Sequence, residues 1–238
     1  MLFRSALKRL DVRRLSLATY DARGFRHVAP GLDADCDTHV LFLGDSFTDG
    51  LWVEDDETFA SRFGALSRGQ GGAKVCPVNA GVDGYGPPEE TYILETYFAA
   101  AGNPRLVFLQ LFPNDIVEDY GPVFDGTLPG LDARWTRLFS FLARAADFCR
   151  THGAELVLVV MPDKTQFDSP GTRTHYQDRV RAFADDAHIR QTDLYEAFRA
   201  RAGDVYWSWD PHLTPEGHAV VADALYRATA DRLRPIAR

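Results

Sequence analysis

Ser46 sits in Gly44-Asp45-Ser46-Phe47-Thr48, directly behind the apolar run Val40-Leu41-Phe42-Leu43, and Asp210-Pro211-His212 lies near the other end of the chain. Serine is a poor nucleophile until a base removes its proton, and an imidazole does this best when an acid fixes its tautomer. A carboxylate two residues before His212, on a link stiffened by Pro211, can accept from Nδ1 and leave Nε2 as the base. The chemistry these residues point to is acyl transfer, with Ser46 as nucleophile, His212 as base and Asp210 as orienting acid. His218, the rival base among seven histidines, falls at the start of a helical segment and reads as a packing or capping residue. A tetrahedral intermediate also needs hydrogen-bond donors for its oxyanion. The candidates are the backbone amides of Ser46 and Gly81 and the side-chain amide of Asn114; Gly81 permits close backbone approach.

These groups are far apart in the chain, so the elements between them must bring them together. Apolar runs of strand length alternate with segments of helical period, the signature of a parallel sheet with crossover helices. Strands are expected at 39–43, 74–78, 105–111, 155–161 and 189–192. Helices are expected at 58–66, 91–101 with Pro87 and Pro88 at the entry, 131–152 and 176–185, and again after Thr214. Thr214 suits an N-cap, with Pro215 at the first helical position and Glu216 complementing the dipole. In open sheets of this kind ligands bind beyond the carboxyl ends of the strands, and Ser46, Gly81 and Asn114 each follow one of the first three strands. Residues 115–130, rich in Gly, Pro and Asp, read as a loop over that edge and a candidate lid. Trp52, Tyr85, Phe112, Trp207 and Trp209 flank the same segments, as core or rim packing or as a surface for sugar or acyl groups.

Composition bounds the rest. A chain of 238 residues, 45% hydrophobic and 25% charged, can bury one good core. We read residues 38–238 as a catalytic domain and 1–37 as an N-terminal extension packing on it. A net charge of −8 argues against a nucleic-acid partner, which calls for a basic stripe. Cys36, Cys76 and Cys149 form no CxxC pair and are odd in number, so neither a disulfide nor a zinc site is expected and each reads as a small buried hydrophobe. The carboxylates show no metal-ligand spacing, and Gly81, Gly84 and Gly86 are wrongly spaced for a dinucleotide, so no metal and no cofactor are expected. The basic residues 1–10 lack the apolar core of a signal peptide and read as a short helix, with contact to a membrane surface as the alternative. No segment reaches the ~18 apolar residues of a membrane span. As it stands the chain reads as cytoplasmic, a longer anchored or exported form being the alternative. Oligomeric state is not legible.

Four blocks, Gly44-Asp45-Ser46-Phe47-Thr48, Asn79-Ala80-Gly81-Val82-Asp83-Gly84, Pro113-Asn114-Asp115 and Asp210-Pro211-His212-Leu213-Thr214, resemble those of the SGNH (GDSL-type) hydrolases. The resemblance spans roughly residues 38–230 and places the family's Ser, Gly, Asn and His on Ser46, Gly81, Asn114 and His212. It implies a flavodoxin-like three-layer α/β/α sandwich with a mainly parallel five-stranded sheet, and hydrolysis of small-molecule or carbohydrate esters without a cofactor. Two departures stand out: many members place two residues between acid and base where Pro211 alone stands here, and Phe47 replaces the leucine of the older signature. Met161-Pro162-Asp163-Lys164 resembles a strand-end motif of envelope-associated members, including sugar O-acetyltransferase relatives. Passage of the acyl group to a hydroxyl acceptor, and a non-catalytic binding module on the same fold, are the alternative readings.

Overall fold

The computed structural model describes residues 16–69, 73–117, 121–167 and 174–233; residues 1–10, read above as a basic helix, lie outside them. Five strands, β1 (Thr38–Leu43), β2 (Val75–Asn79), β3 (Leu106–Leu111), β4 (Glu155–Val160) and β5 (Arg190–Asp193), form one sheet in the order β2-β1-β3-β4-β5. Every pairing is parallel. This is the flavodoxin-like order, in which the chain reverses its direction of winding at β1 and β3 and leaves a crevice beyond their carboxyl ends.

Alternation along the strands explains the layers. Leu41, Leu43, Val107, Leu109, Leu156 and Leu158 point into one core, together with Leu94 of α3 (Pro87–Tyr97), Trp135 and Leu142 of α5 (Leu131–Thr151) and Val180 of α6 (His175–Asp186). Val40, Phe42, Leu106, Phe108, Val157 and Val159 face the opposite core, filled by Phe59 and Phe63 of α2 (Phe59–Gly69) and by Val221 and Leu225 of α9 (Pro215–Thr229), which follows the short α7 (Tyr195–Arg199) and α8 (Ala202–Val205). A strand covered on both faces needs apolar residues at nearly every position, which is why these segments read as continuous runs. Thr214 caps α9 by accepting from the Gly217 amide at 3.1 Å, and Pro215 takes the first helical position.

Two expectations differ from the structure. Residues 115–130 are not an open loop among the described residues: Pro113–Asp115 forms a 3-10 turn and α4 (Gly121–Asp125) buries Val123 and Phe124 in the first core. Cys36 and Cys76 are joined by a disulfide, contrary to the reading of three isolated thiols. The register explains it. His39 pairs with Cys76 in the sheet, and the Asp37 amide donates to the Lys74 carbonyl at 2.9 Å, so Cys36 runs beside β2. The two Cα atoms are 5.5 Å apart, within bridging range. Spacing in sequence carries no trace of this, because 40 residues separate the pair. Cys149 stays free and buried, its thiol pushed up to about 12 by desolvation.

Candidate active site

The turn after β1 delivers Ser46, the expected nucleophile. Gly44 has φ +156, and a Cβ there would meet Thr48 Oγ1 at 2.2 Å and Gln110 Oε1 at 2.5 Å, so the chain can leave the strand this tightly only with glycine. Ser46 then opens α1 (Ser46–Asp49), and the Asp45 carboxylate caps it by accepting from the Phe47 amide at 2.9 Å. Gln110 on β3 fixes the same turn through Oε1, which accepts from the Asp45 amide at 3.2 Å and from Thr48 Oγ1 at 3.0 Å.

At the far end of the chain the 206–213 loop doubles back through a Tyr206–Leu213 bridge. It presents Asp210 and His212 over the turn. His212 Nδ1 donates to Asp210 Oδ1 at 2.6 Å, which leaves Nε2 to accept from the Ser46 hydroxyl at 2.8 Å. The His212 backbone amide also donates to Asp210 Oδ1 at 2.9 Å, so a single intervening proline is enough for acid and base to meet. Burial, the largest influence on Asp210, pushes its carboxyl up; the hydrogen bonds and charge of His212 outweigh it and hold the carboxyl below the usual range. The Trp52 indole adds the smallest part of that lowering, without a hydrogen bond of standard geometry. Lys164, in the segment after β4, donates from Nζ to the Asp210 carbonyl at 3.2 Å and pins the loop. Phe47 supports the imidazole, its ring 4.9 Å from that of His212 and 4.5 Å from Phe112. His218 takes no part in this arrangement. It is buried, accepts from the Phe59 amide through Nδ1 at 3.1 Å, and burial holds its ring well below the usual histidine range, hence neutral.

The donors separate. Asn114 lies against the nucleophile turn, one side-chain hydrogen going to Asp45 Oδ2 at 3.3 Å and the second left for a ligand. The Gly81 amide is already committed to Asn79 Oδ1 at 3.1 Å. A Cβ at Gly81 would meet the Asp49 amide nitrogen at 2.3 Å, so this glycine serves close packing against the end of α1. Three residues on, Gly84 has φ +80 in a turn closed by the Tyr85 amide on the Val82 carbonyl at 3.0 Å. Neither the Gly84 amide nor the Ser46 amide makes a hydrogen bond among the described residues. Gly84 and Asn114 share the wall of a cavity of about 460 Å³, with Tyr85, Pro87, Ile116 and Leu138. The signal for Gly84 was in the sequence as a turn glycine, but nothing there told its amide from that of Gly81.

Sequence reasoning also missed the groups that hold the turn from behind. Arg26, 3% exposed, pairs with Asp55 at 2.9 Å and donates to the carbonyls of Asp49, Gly50 and Val53. Tyr20 Oη donates to Asp49 Oδ1 at 2.9 Å. The segment before β1 is therefore part of the support of the Ser46 turn. It also sets Trp52 at φ +69, a left-handed conformation that costs a bulky residue on the order of 1–3 kcal/mol and persists only where the surroundings over-determine it.

A serine, histidine and aspartate thus stand in hydrogen-bonded series at the switch point of a flavodoxin-like sheet. The sequence matches the model of the GDSL-like lipase/acylhydrolase family over residues 42–220, and the chain belongs to that family. A search of curated proteins found no match. Among solved structures, the lipase/acylhydrolase of Enterococcus faecalis superposes with a TM-score of 0.65 at 15% identity, over 84% of this chain and 100% of that one. Axe2, an acetylxylan esterase of Geobacillus stearothermophilus, gives 0.61 at 19% identity, over 82% and 95%. The psychrotrophic esterase EstA of Pseudoalteromonas sp. gives 0.62 at 14% identity, over 83% and 99%. At these identities the likeness is one of fold.

Proposed function

We propose that the protein hydrolyses carboxylic esters through an acyl-enzyme on Ser46. The observation that carries the reading is the unbroken series Ser46 Oγ–His212 Nε2 at 2.8 Å and His212 Nδ1–Asp210 Oδ1 at 2.6 Å. Ser46 attacks the ester carbonyl as Nε2 takes its proton, and Asp210 stabilises the imidazolium that results. The oxyanion develops against the amides of Ser46 and Gly84 and the free hydrogen of Asn114, with the Gly81 amide occupied by Asn79. His212 then returns the proton to the leaving alcohol, and water reverses the sequence to release the acid. The cavity beside Gly84 and Asn114 offers the acyl group a place.

Solved relatives that act on esters, one of them on acetylxylan, support an ester or carbohydrate-ester substrate. The Cys36–Cys76 bond supports an oxidising compartment over the cytoplasmic reading, since such bonds persist where thiols are not held reduced. Lys164 is occupied as a latch on Asp210, so the Met161–Lys164 motif adds no acceptor site and gives acyl transfer no special support. Turnover of p-nitrophenyl acetate by the purified protein, and its loss in Ser46→Ala, tests the proposal; a variant as active as the wild type refutes it.

A further inference from the structure

Three of the four tryptophans in the chain meet at the loop that carries acid and base. Trp207 and Trp209 stack with ring centroids 5.6 Å apart, and Trp52, from the turn behind α1, meets Trp209 edge-on at 5.4 Å. Trp209 directly precedes Asp210, and the loop closes on itself, the Trp207 amide donating to the His212 carbonyl at 3.1 Å. All three rings are half-buried, with Ser208 and Pro211 exposed between and beside them. The fourth, Trp135, is fully buried in the core below α5. Each residue of this cluster thus keeps part of its surface open to solvent, whereas Trp135 keeps none.

The position of the cluster relative to the chemistry decides which part of a substrate it contacts. His212 Nε2 protonates the leaving oxygen in the proposed reaction and Asn114 and Gly84 flank the carbonyl oxygen, while the indoles sit on and against the loop that carries His212, beside Asp210. We propose that Trp52, Trp207 and Trp209 form a carbohydrate subsite for the alcohol part, which makes the natural substrate an O-acylated glycan; this rests on the serine-esterase reading above. A pyranose presents a flat face of C–H groups to an indole and a rim of hydroxyls to water, and an open aromatic wall edged by Ser208 and Asp210 matches both. A long aliphatic alcohol requires a closed apolar channel instead. The backbone supports a dedicated role for Trp52. It is held at φ +69, where glycine would sit without strain, by Arg26 gripping the carbonyls on either side, Gly50 and Val53.

The test compares kcat/KM for p-nitrophenyl acetate with kcat/KM for O-acetylated sugars: glucose pentaacetate, acetylated xylo-oligosaccharide and acetylated cello-oligosaccharide. The enzymes are the wild type, Trp209→Phe, Trp209→Ala and Trp52→Gly. The last removes the ring while relieving the backbone, and Tm measured for every variant separates loss of the wall from loss of the fold. We expect at least one acetylated sugar to be preferred to p-nitrophenyl acetate by the wild type. That preference falls at least tenfold in Trp52→Gly and Trp209→Ala through KM, with partial retention in Trp209→Phe. Parallel changes on all substrates, or no sugar preferred by the wild type, overturn the carbohydrate subsite while the esterase stands. Failure of wild-type Ser46 to react with a fluorophosphonate overturns the esterase reading beneath it.

Discussion

Reduction of the Cys36–Cys76 bond, or Cys36→Ser, lowers stability by an amount that follows from its place in the chain. The bridge closes a loop with a sequence separation of 40 residues. Chain-entropy arithmetic for that separation gives about 13 cal/mol/K, or about 4 kcal/mol at 25 °C, of denatured-state freedom restored when the link is lost. For a protein of this size that corresponds to roughly 8–15 °C in Tm. Little native packing offsets the loss, because the bridge fastens the segment before β1 to a strand already paired with β1. Urea unfolding with and without reductant measures the difference, and thiol titration of the denatured, unreduced protein should find Cys149 alone. Three titratable thiols, or equal urea midpoints for the wild type and Cys36→Ser, would refute the reasoning.

Asn114→Ala removes one of the three donors to the oxyanion, with an expected drop in kcat of roughly 10²–10³ and a smaller change in KM; steady-state kinetics on p-nitrophenyl esters read this directly. Asp210→Asn should lower kcat by a factor on the order of 10³–10⁴ while leaving Tm nearly unchanged, since the side chain is isosteric and the loop keeps its Lys164 latch; an active variant would show that Asp210 does not orient His212. Glu90 is 1% exposed, and both its carboxyl oxygens lack a hydrogen-bond partner. Burial first, then the charges of Asp115, Asp45 and Glu89, push it well above the usual range. Folded protein therefore holds this proton longer than unfolded protein does, and stability falls as pH rises from about 4.3, the ordinary glutamate value. Glu90→Gln removes that slope, so its Tm should exceed the wild type's by a margin that grows with pH across that window; parallel Tm curves would count against the protonated state.

The site depends on supports that lie outside the catalytic groups themselves. Asp45 caps α1 and accepts from Asn114, so one buried carboxyl ties the Ser46 turn to Asn114. Burial raises Asp45, only partly offset by the Phe47 amide, Asn114, the charge of His212 and Gln110. Arg26 and Tyr20 tie the other end of the same short helix to the segment before β1. A four-residue helix has almost no stability of its own, and these contacts replace the length it lacks.

Local pattern was enough for the strands and the crossover helices, because a strand buried on both faces must be apolar throughout and a helix facing a sheet must repeat every three to four residues. It also singled out Ser46, Asp210 and His212, which the structure brings into one hydrogen-bonded series. What sequence left open was decided by distance in space between residues far apart in the chain. The disulfide depends on the register of β1 against β2, and the support from Arg26 on a segment folding back over the nucleophile turn. Whether Gly81 or Gly84 offers its amide depends on which one Asn79 has already claimed. The tryptophan wall shows the same division: each ring was visible as a residue near a catalytic block, but only the fold, by closing the 206–213 loop onto the turn behind α1, made them one surface.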